Sequence, residues 1–415
     1  MIVRQRSERT EAEERIYQIL DQGSFMEIGE RITAKATDFC NPEEVWESDG
    51  VITGYGTIGG KLVYLFSQDA DVMGGSFGEM HGRKISRIYQ LAIKTKAPVI
   101  GILSSSGFRV EEGVDALESL AGIYHLQAKA ASEILQVMAI CGKCEGGMAV
   151  CADMADVVVR DMADLAASIK TLVELLPSHT AALAEKTDCT DDLNRLCPDL
   201  SEKRGDGRAI LKGLSDSSFF LEVDEERGME LVTGFIRLDG AVIGGIANQR
   251  KPREGYAITS EGFEKAASFI SLCDKFQIPL LTVTDGDGFD GATEAGVMIK
   301  ALALSTMPKV NLIVGEIGGS VYSMMNCKGI GADYVFIWEQ AGVNLIDPMQ
   351  AAEILCPQAE LAFLKKKAED YRNTHCSPKA LARRGYVDKI ISPQDSRKYV
   401  IGAFQTFSNM EEIGR

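Results

Sequence analysis

The sequence predicts an α/β fold built from two copies of one unit, and three observations carry that expectation. Apolar runs of strand length alternate with helical periodicity along the chain. Short markers recur in the same order in both halves at nearly one offset. Glycine is enriched, 41 of 415 residues, while proline is scarce at 11, which suits tight turns inside a folded protein and not a low-complexity linker.

The elements follow in order. Residues 7–22 read as a charged amphipathic helix with Ile16, Ile19 and Leu20 on one side, running into Gly23-Ser24-Phe25-Met26-Glu27-Ile28. Val51–Ile58 and Leu62–Ser67, separated by Gly59-Gly60, predict a β-hairpin. Gly82 to Lys94 reads as a helix, followed by a buried strand over 98–103. A long helix is expected from about Asp115 to Ile140, then the pair Gly146-Gly147, then a strand around Val157-Val158-Val159.

The second half repeats this order. Thr233-Gly234-Phe235 answers Thr53-Gly54-Tyr55 at an offset of 180, and Gly288-Phe289 answers Gly107-Phe108 at 181. Gly318-Gly319 answers Gly146-Gly147 at 172, and Ala332-Asp333-Tyr334-Val335 answers Ala155-Asp156-Val157-Val158 at 177. Phe220-Leu221-Glu222-Val223 likewise resembles Phe25-Met26-Glu27-Ile28. The expected organisation is therefore an N-terminal domain over 1–160, an irregular joining stretch over 161–215, and a C-terminal domain over 216–415. Duplicated units commonly place related half-sites against each other, within a chain or across a dimer.

Composition excludes several classes. The net charge of −16 argues against a nucleic-acid groove. No apolar run approaches the roughly 18 residues of a membrane span, and the first 15 residues read as no secretory signal. Ten scattered cysteines fit free, mostly buried thiols in a reducing cytoplasm.

Each half contains a strand ending in a glycine turn and a second strand ending in Gly-Gly at a helix start. Glycine permits close backbone approach, and the first N–H groups of a helix lack intrahelical partners, so both places offer donors. Two donors converging on one oxygen form an oxyanion hole. The candidates are Phe108, after Gly107, with Gly146 or Gly147 in the first half, and Phe289, after Gly288, with Gly319 or Ser320 in the second. The competing structural reading is that these glycines only allow helix and strand to pack closely. The four histidines, His81, His125, His179 and His375, show no triad spacing. Cys141 and Cys144 make half a zinc site at most, and Asp285, Asp287 and Asp290 lack the spacing of an EF-hand. No metal is expected.

The run Asp49-Gly50-Val51-Ile52-Thr53-Gly54-Tyr55-Gly56-Thr57-Ile58, with Val63–Asp69 and Gly74-Gly75-Ser76-Phe77-Gly78-Glu79-Met80-His81-Gly82-Arg83-Lys84-Ile85, resembles the carboxyltransferase subunits of biotin-dependent acyl-CoA carboxylases and decarboxylases. So do Leu176-Pro177-Ser178, Gly234–Gly240, Ala247-Asn248-Gln249, and Arg384–Asp388 with Arg397, and the resemblance covers nearly the whole chain. It implies two tandem crotonase-like domains, each a spiral of ββα units, with an active site between the N-domain of one subunit and the C-domain of another. It also implies that carboxyl transfer between biotin on a separate carrier protein and a short-chain acyl-CoA passes through enolates held in the two oxyanion holes.

By the same resemblance, Gly146-Gly147 would hold the thioester oxygen of the coenzyme A substrate, and Gly318, Gly319 and Ser320, with Gly288 and Phe289, the biotin ureido oxygen. Gly74, Gly75, Lys84 and Arg109 would contact substrate. Arg83, Lys84 and Arg87, on the helix after Gly74-Gly75, are candidates to meet coenzyme A phosphates, a merely solvated face being the competing reading. A homo-hexamer built from dimers is implied as well. The chain differs from the family pattern at Phe108, where alanine is usual, at Lys143 and Glu145, and at Gly286 and Asp287. Phe108 would narrow the acyl pocket. Two other readings stay open: a biotin-independent lyase or hydratase using Glu145, and a non-catalytic paralogue that binds acyl-CoA or assembles with an active subunit.

Overall fold

In a computed structural model the chain forms two compact units, Met1–Ala184 and Glu185–Arg415. The structure describes residues 2–3, 10–39, 44–160, 164–250, 257–286 and 288–407. Residues 7–9 of the expected first helix, Cys40 and Asp287 lie outside the described residues.

The first unit is a six-stranded sheet in the order Met26–Glu27, Val51–Ile58, Lys61–Gln68, Val99–Ser105, Gln136–Cys144, Val157–Val159. Its first two pairings are antiparallel and the next three parallel. Helices Glu79–Thr95 and Val114–Ala130 provide the crossovers. The second unit repeats the plan: Leu221–Glu222, Leu231–Leu238, Ala241–Asn248, Leu280–Gly286, Lys309–Gly318 and Tyr334–Trp338 follow in the same sense. Lys389–Ile391 extends the edge, and Gly342–Asn344 pairs with the end of Lys309–Gly318. These are the two ββα-spiral, crotonase-like domains expected.

The duplication extends to individual hydrogen bonds. Both hairpins turn on two residues of positive φ, Gly59-Gly60 (54° and 78°) and Asp239-Gly240 (53° and 74°), the geometry that matches strand twist. The turn amides are received by one carboxylate in each unit: Asp21 takes Gly59 and Gly60 at 3.0 Å each, and Asp216 takes Asp239 and Gly240 at 3.2 and 2.7 Å. The Thr53 hydroxyl donates to the Ile28 carbonyl at 2.6 Å, and the Thr233 hydroxyl to the Val223 carbonyl at 2.7 Å. Gly54 and Gly234 are glycine because a Cβ would lie 2.4 Å from the Met26 carbonyl oxygen and 2.5 Å from that of Leu221.

Three expectations are corrected. The first helix is shorter, Glu11–Ile19, with Ile16, Ile19 and Leu20 buried as expected. The helix expected to reach Ile140 stops at Ala130, and Gln136–Cys144 is a strand between two parallel neighbours. No glycine or proline marks that break, and the apolar run 137–140 suits either element. The joining stretch 161–215 is not irregular throughout: Leu165–Leu175 packs on the first unit and Gly207–Leu214 on the hairpin of the second.

Candidate functional site

The strand Val99–Ser105 shifts register beside Gln136–Cys144 between Leu103 and Ser105, which takes the Ser104 N–H out of the ladder. A buried donor needs an acceptor, and the Gln68 side-chain oxygen supplies one at 2.9 Å. Beyond the shift the chain turns through Gly107 (φ 111°). The Gly107 carbonyl accepts from Phe77 N–H at 2.7 Å, and Arg109 N–H donates to the Phe77 carbonyl at 2.9 Å. Between these bonds the Phe108 N–H has no acceptor among the described residues. The Phe108 ring, 37% exposed, stands edge-on to Phe77 with centroids 5.9 Å apart.

The neighbouring strand ends alongside, Cys144 opposite Ser105. Gly146 (φ 59°) turns the chain into the helix Gly147–Asp153. A Cβ on Gly147 would fall 2.2 Å from Leu120 Cδ2, 3.0 Å from the Tyr124 hydroxyl and 3.2 Å from Phe108 Cζ, so only glycine lets the turn close against Phe108. The Gly147 N–H has no acceptor among the described residues. The Phe108 ring and the Gly146-Gly147 turn therefore lie side by side.

The second unit repeats this arrangement. A register shift between Thr284 and Gly286 frees the Asp285 N–H, which the Asn248 side-chain oxygen receives at 3.0 Å. The Gly288 carbonyl accepts from Ile258 N–H at 3.0 Å, and Asp290 N–H donates to the Ile258 carbonyl at 2.7 Å. Phe289 N–H is left without an acceptor among the described residues, and its ring meets Phe263 at 6.2 Å. Gly318 closes its strand opposite Asn344. Gly319 (φ 54°) turns the chain, but its N–H donates to the Asn344 carbonyl at 2.7 Å. Of the two expected candidates, Gly319 and Ser320, Ser320 is the one whose N–H has no acceptor among the described residues.

Lys84 and Arg109 are not placed to touch a ligand. Both are 3% exposed. Lys84 Nζ donates to the Val51 carbonyl, and the Arg109 guanidinium bonds the Asp49 carboxylate, Glu112 and the Asp49 and Ser76 carbonyls. A cation that exchanges water for such partners stays inside, which corrects the expected substrate contact of both and the phosphate contact expected of Lys84. Arg83 and Arg87 on the same helix remain exposed. Met73, Gly74 and Gly75 form a tight turn of consecutive positive φ (49°, 64° and 69°). Gly75 backs onto Ser104, whose carbonyl oxygen would lie 2.4 Å from a Cβ, and Gly74 lies exposed beside Ser106.

The groups behind the first turn are charged and dry. Burial, reinforced by Arg109 and Lys84, holds the His81 imidazole well below its ordinary pKa, and the ring bonds Gln68 and the Asp49 carbonyl, 3.1 Å each. Burial raises the Asp49 carboxyl to about 6 against the pull of Arg109. Glu145 and Lys143 are exposed. Cys141 and Cys144 are free thiols pushed up by burial, and no cluster that could hold a metal occurs among the described residues.

Sequence reasoning missed Gln68, Asn248 and Tyr124. The two amides sit at equivalent positions, each closing the second hairpin strand, and that repeated residue type was the available signal.

The carboxyl transferase domain family matches this chain twice, over residues 4–163 and 153–412. The propionyl-CoA carboxylase beta chain of Roseobacter denitrificans is 33% identical, over 96% of this chain and 90% of its own. The methylmalonyl-CoA decarboxylase subunit alpha of Propionigenium modestum is 30% identical, over 97% and 90%. The transcarboxylase 12S hexamer solved with hydrolysed methylmalonyl-coenzyme A superposes with a TM-score of 0.89 at 27% identity, over 96% of this chain and 90% of that one.

Proposed function

Because the chain belongs to the carboxyl transferase family, we propose that it is the carboxyltransferase component of a biotin-dependent acyl-CoA carboxylase or decarboxylase. It moves a carboxyl group between biotin on a separate carrier protein and a short-chain acyl-CoA. One observation carries the reading: in each unit a bridged turn leaves a phenylalanine N–H, Phe108 or Phe289, without an acceptor among the described residues, and a glycine turn offers another such donor, Gly147 or Ser320.

In the first unit, Phe108 and Gly147 hold the thioester oxygen and stabilise the negative charge that gathers there when the α-carbon gives up its proton or carboxyl group. Preorganised donors of this kind contribute roughly 2.7–4 kcal/mol each. In the second unit, the N–H groups of Phe289 and Ser320 suit an acceptor oxygen such as the ureido carbonyl of biotin. Biotin, when bound, supplies the nitrogen that carries the carboxyl group and accepts the α-proton. No protein nucleophile is needed. Glu145, the acid or base of the lyase reading, is exposed, and the family match favours carboxyl transfer over that reading.

The hexamer assembly of transcarboxylase 12S supports an oligomer here as well. The described cysteines are all free, in keeping with a reducing cytoplasm. Among the described residues, no helix is long and apolar enough to cross a membrane.

The test is decarboxylation of methylmalonyl-CoA or malonyl-CoA with and without biotin or its carrier. Ser320 has φ −71°, which proline accepts, so Ser320→Pro deletes one N–H with little backbone cost. Biotin-dependent turnover falling by about 100- to 1,000-fold in the variant supports the reading. Turnover independent of biotin, or unchanged by the substitution, refutes it.

A further inference from the structure

The Arg109 side chain is fully engaged. Its Nε donates to the Ser76 hydroxyl at 3.2 Å, Nη2 to the Ser76 and Asp49 carbonyls at 2.9 and 2.7 Å, and Nη1 to the Asp49 carboxylate and to Glu112, the latter at 3.1 Å. Glu112 in turn accepts the Glu79 N–H at the start of the helix Glu79–Thr95. The backbone N–H of the same arginine makes one of the two bonds of the Phe77 bridge. Space for this cluster is specifically cleared, since a Cβ on Gly78 would lie 2.3 Å from Glu112 Oε1 and 2.7 Å from Arg109 Nη1.

The second unit is an internal control. It keeps the bridge, the buried lysine (Lys265 for Lys84) and the amide behind the register shift. Where the first unit has Arg109, the second has Asp290, which is exposed. Where the first has Asp49, the second has Glu230, which receives the Thr259 N–H directly at 2.9 Å. The bridged turn therefore forms without a guanidinium. Folding alone does not explain a buried arginine in the first unit.

We propose that Arg109 is a positioning residue: by fixing the bridge on both sides of Phe108 it holds the Phe108 N–H on the thioester oxygen of the acyl-CoA. The proposal rests on the transferase reading. A planar fork with several fixed acceptors restrains a backbone more tightly than an ammonium on a flexible stem, and a misplacement of about 1 Å costs as much as 100-fold in rate. Arg109 touches no substrate, so its loss acts through turnover and not through binding.

The experiment compares Arg109→Lys, which keeps the charge, and the milder Ser76→Ala with the parent chain. It measures steady-state carboxyl transfer and amide hydrogen exchange at Phe77, Arg109, Ile258 and Asp290. Arg109→Lys is expected to lower kcat about tenfold or more, with KM for the acyl-CoA within about twofold. It should speed exchange at Phe77 and Arg109 while leaving Ile258 and Asp290 unchanged, and Ser76→Ala should do the same to a smaller degree. Unchanged exchange at Phe77 and Arg109 in both variants, or equal acceleration in both units, overturns the proposal. So does a kcat equal to that of the parent. A parent chain without biotin-dependent turnover overturns the transferase reading instead, and the exchange data then decide the clamp alone.

Discussion

The Tyr124 hydroxyl donates to the Gly147 carbonyl at 2.8 Å, tying the helix Val114–Ala130 to the first residue of the helix that follows the first glycine turn. Tyr124→Phe removes that bond without changing the packing of the ring. The stability cost is expected to be about 1 kcal/mol, read by urea unfolding. The transfer rate should fall further than that, because the bond holds Gly147 through its carbonyl, and the N–H of that same residue is the proposed donor. A variant that loses stability and keeps its full rate would show that the bond serves only the fold.

Phe108 is expected to narrow the acyl pocket of the first site. Its ring tip lies where a Gly147 Cβ would approach to 3.2 Å, and it is held by one edge-on aromatic contact worth about 0.5–1.5 kcal/mol. Phe108→Ala should therefore fold and should admit longer acyl groups. The ratio of kcat/KM for butyryl-CoA over propionyl-CoA is expected to rise about tenfold or more, since one methylene in an apolar pocket is worth about 1–3 kcal/mol. An unaltered ratio would place the acyl group away from this ring.

Asp49 gives the first unit a pH signature. Its carboxyl is raised in the folded state to about 6 from an ordinary value of 3.8, because burial beside a second carboxylate, Glu112, outweighs Arg109. The folded state thus holds a proton that the unfolded state has released between those two values. This contribution to stability is complete below about pH 4 and is lost as pH rises through about 6, with an upper bound of roughly 3 kcal/mol. Unfolding midpoints of the parent and Asp49→Asn should differ by an amount that shifts against the parent over that interval. A difference independent of pH would refute the assignment.

Gly54→Ala and Gly234→Ala should be equally damaging. In each, the added methyl meets a carbonyl oxygen of the adjoining edge strand at about 2.4–2.5 Å, and backbone cannot swing aside as a side chain can. A loss of about 1–3 kcal/mol is expected at either site, measured as a lower urea midpoint. Tolerance of one and not the other would mean that the two edge strands are held differently.

The hairpins, the repeat and the glycine turns were legible because local chemistry dictates them: positive φ at Gly59-Gly60, alternation in the strands, a second copy to compare. Partnerships at long range were not. Lys84 and Arg109 read as surface cations because nothing near them in sequence announces Val51, Asp49 or Ser76, each 33 or 60 residues away. Gly319 looked like a donor because its own acceptor, Asn344, comes from a three-residue strand lying later in the chain. The break before Gln136 was invisible for a different reason, since an apolar run between two elements carries no punctuation of its own.

Lys84 and Lys265 occupy equivalent places, and each donates its ammonium group to a main-chain carbonyl, that of Val51 or Arg227. At 3% and 2% exposure, neither amine can be reached by an electrophile. Thioesters acylate accessible lysines without a catalyst, so a protein that handles acyl-CoA accumulates such damage on its surface. These two lysines should be the last to be modified on prolonged incubation with an acyl-CoA, as peptide mass mapping would show, and the packing of both units would outlive the chemical ageing of their exteriors.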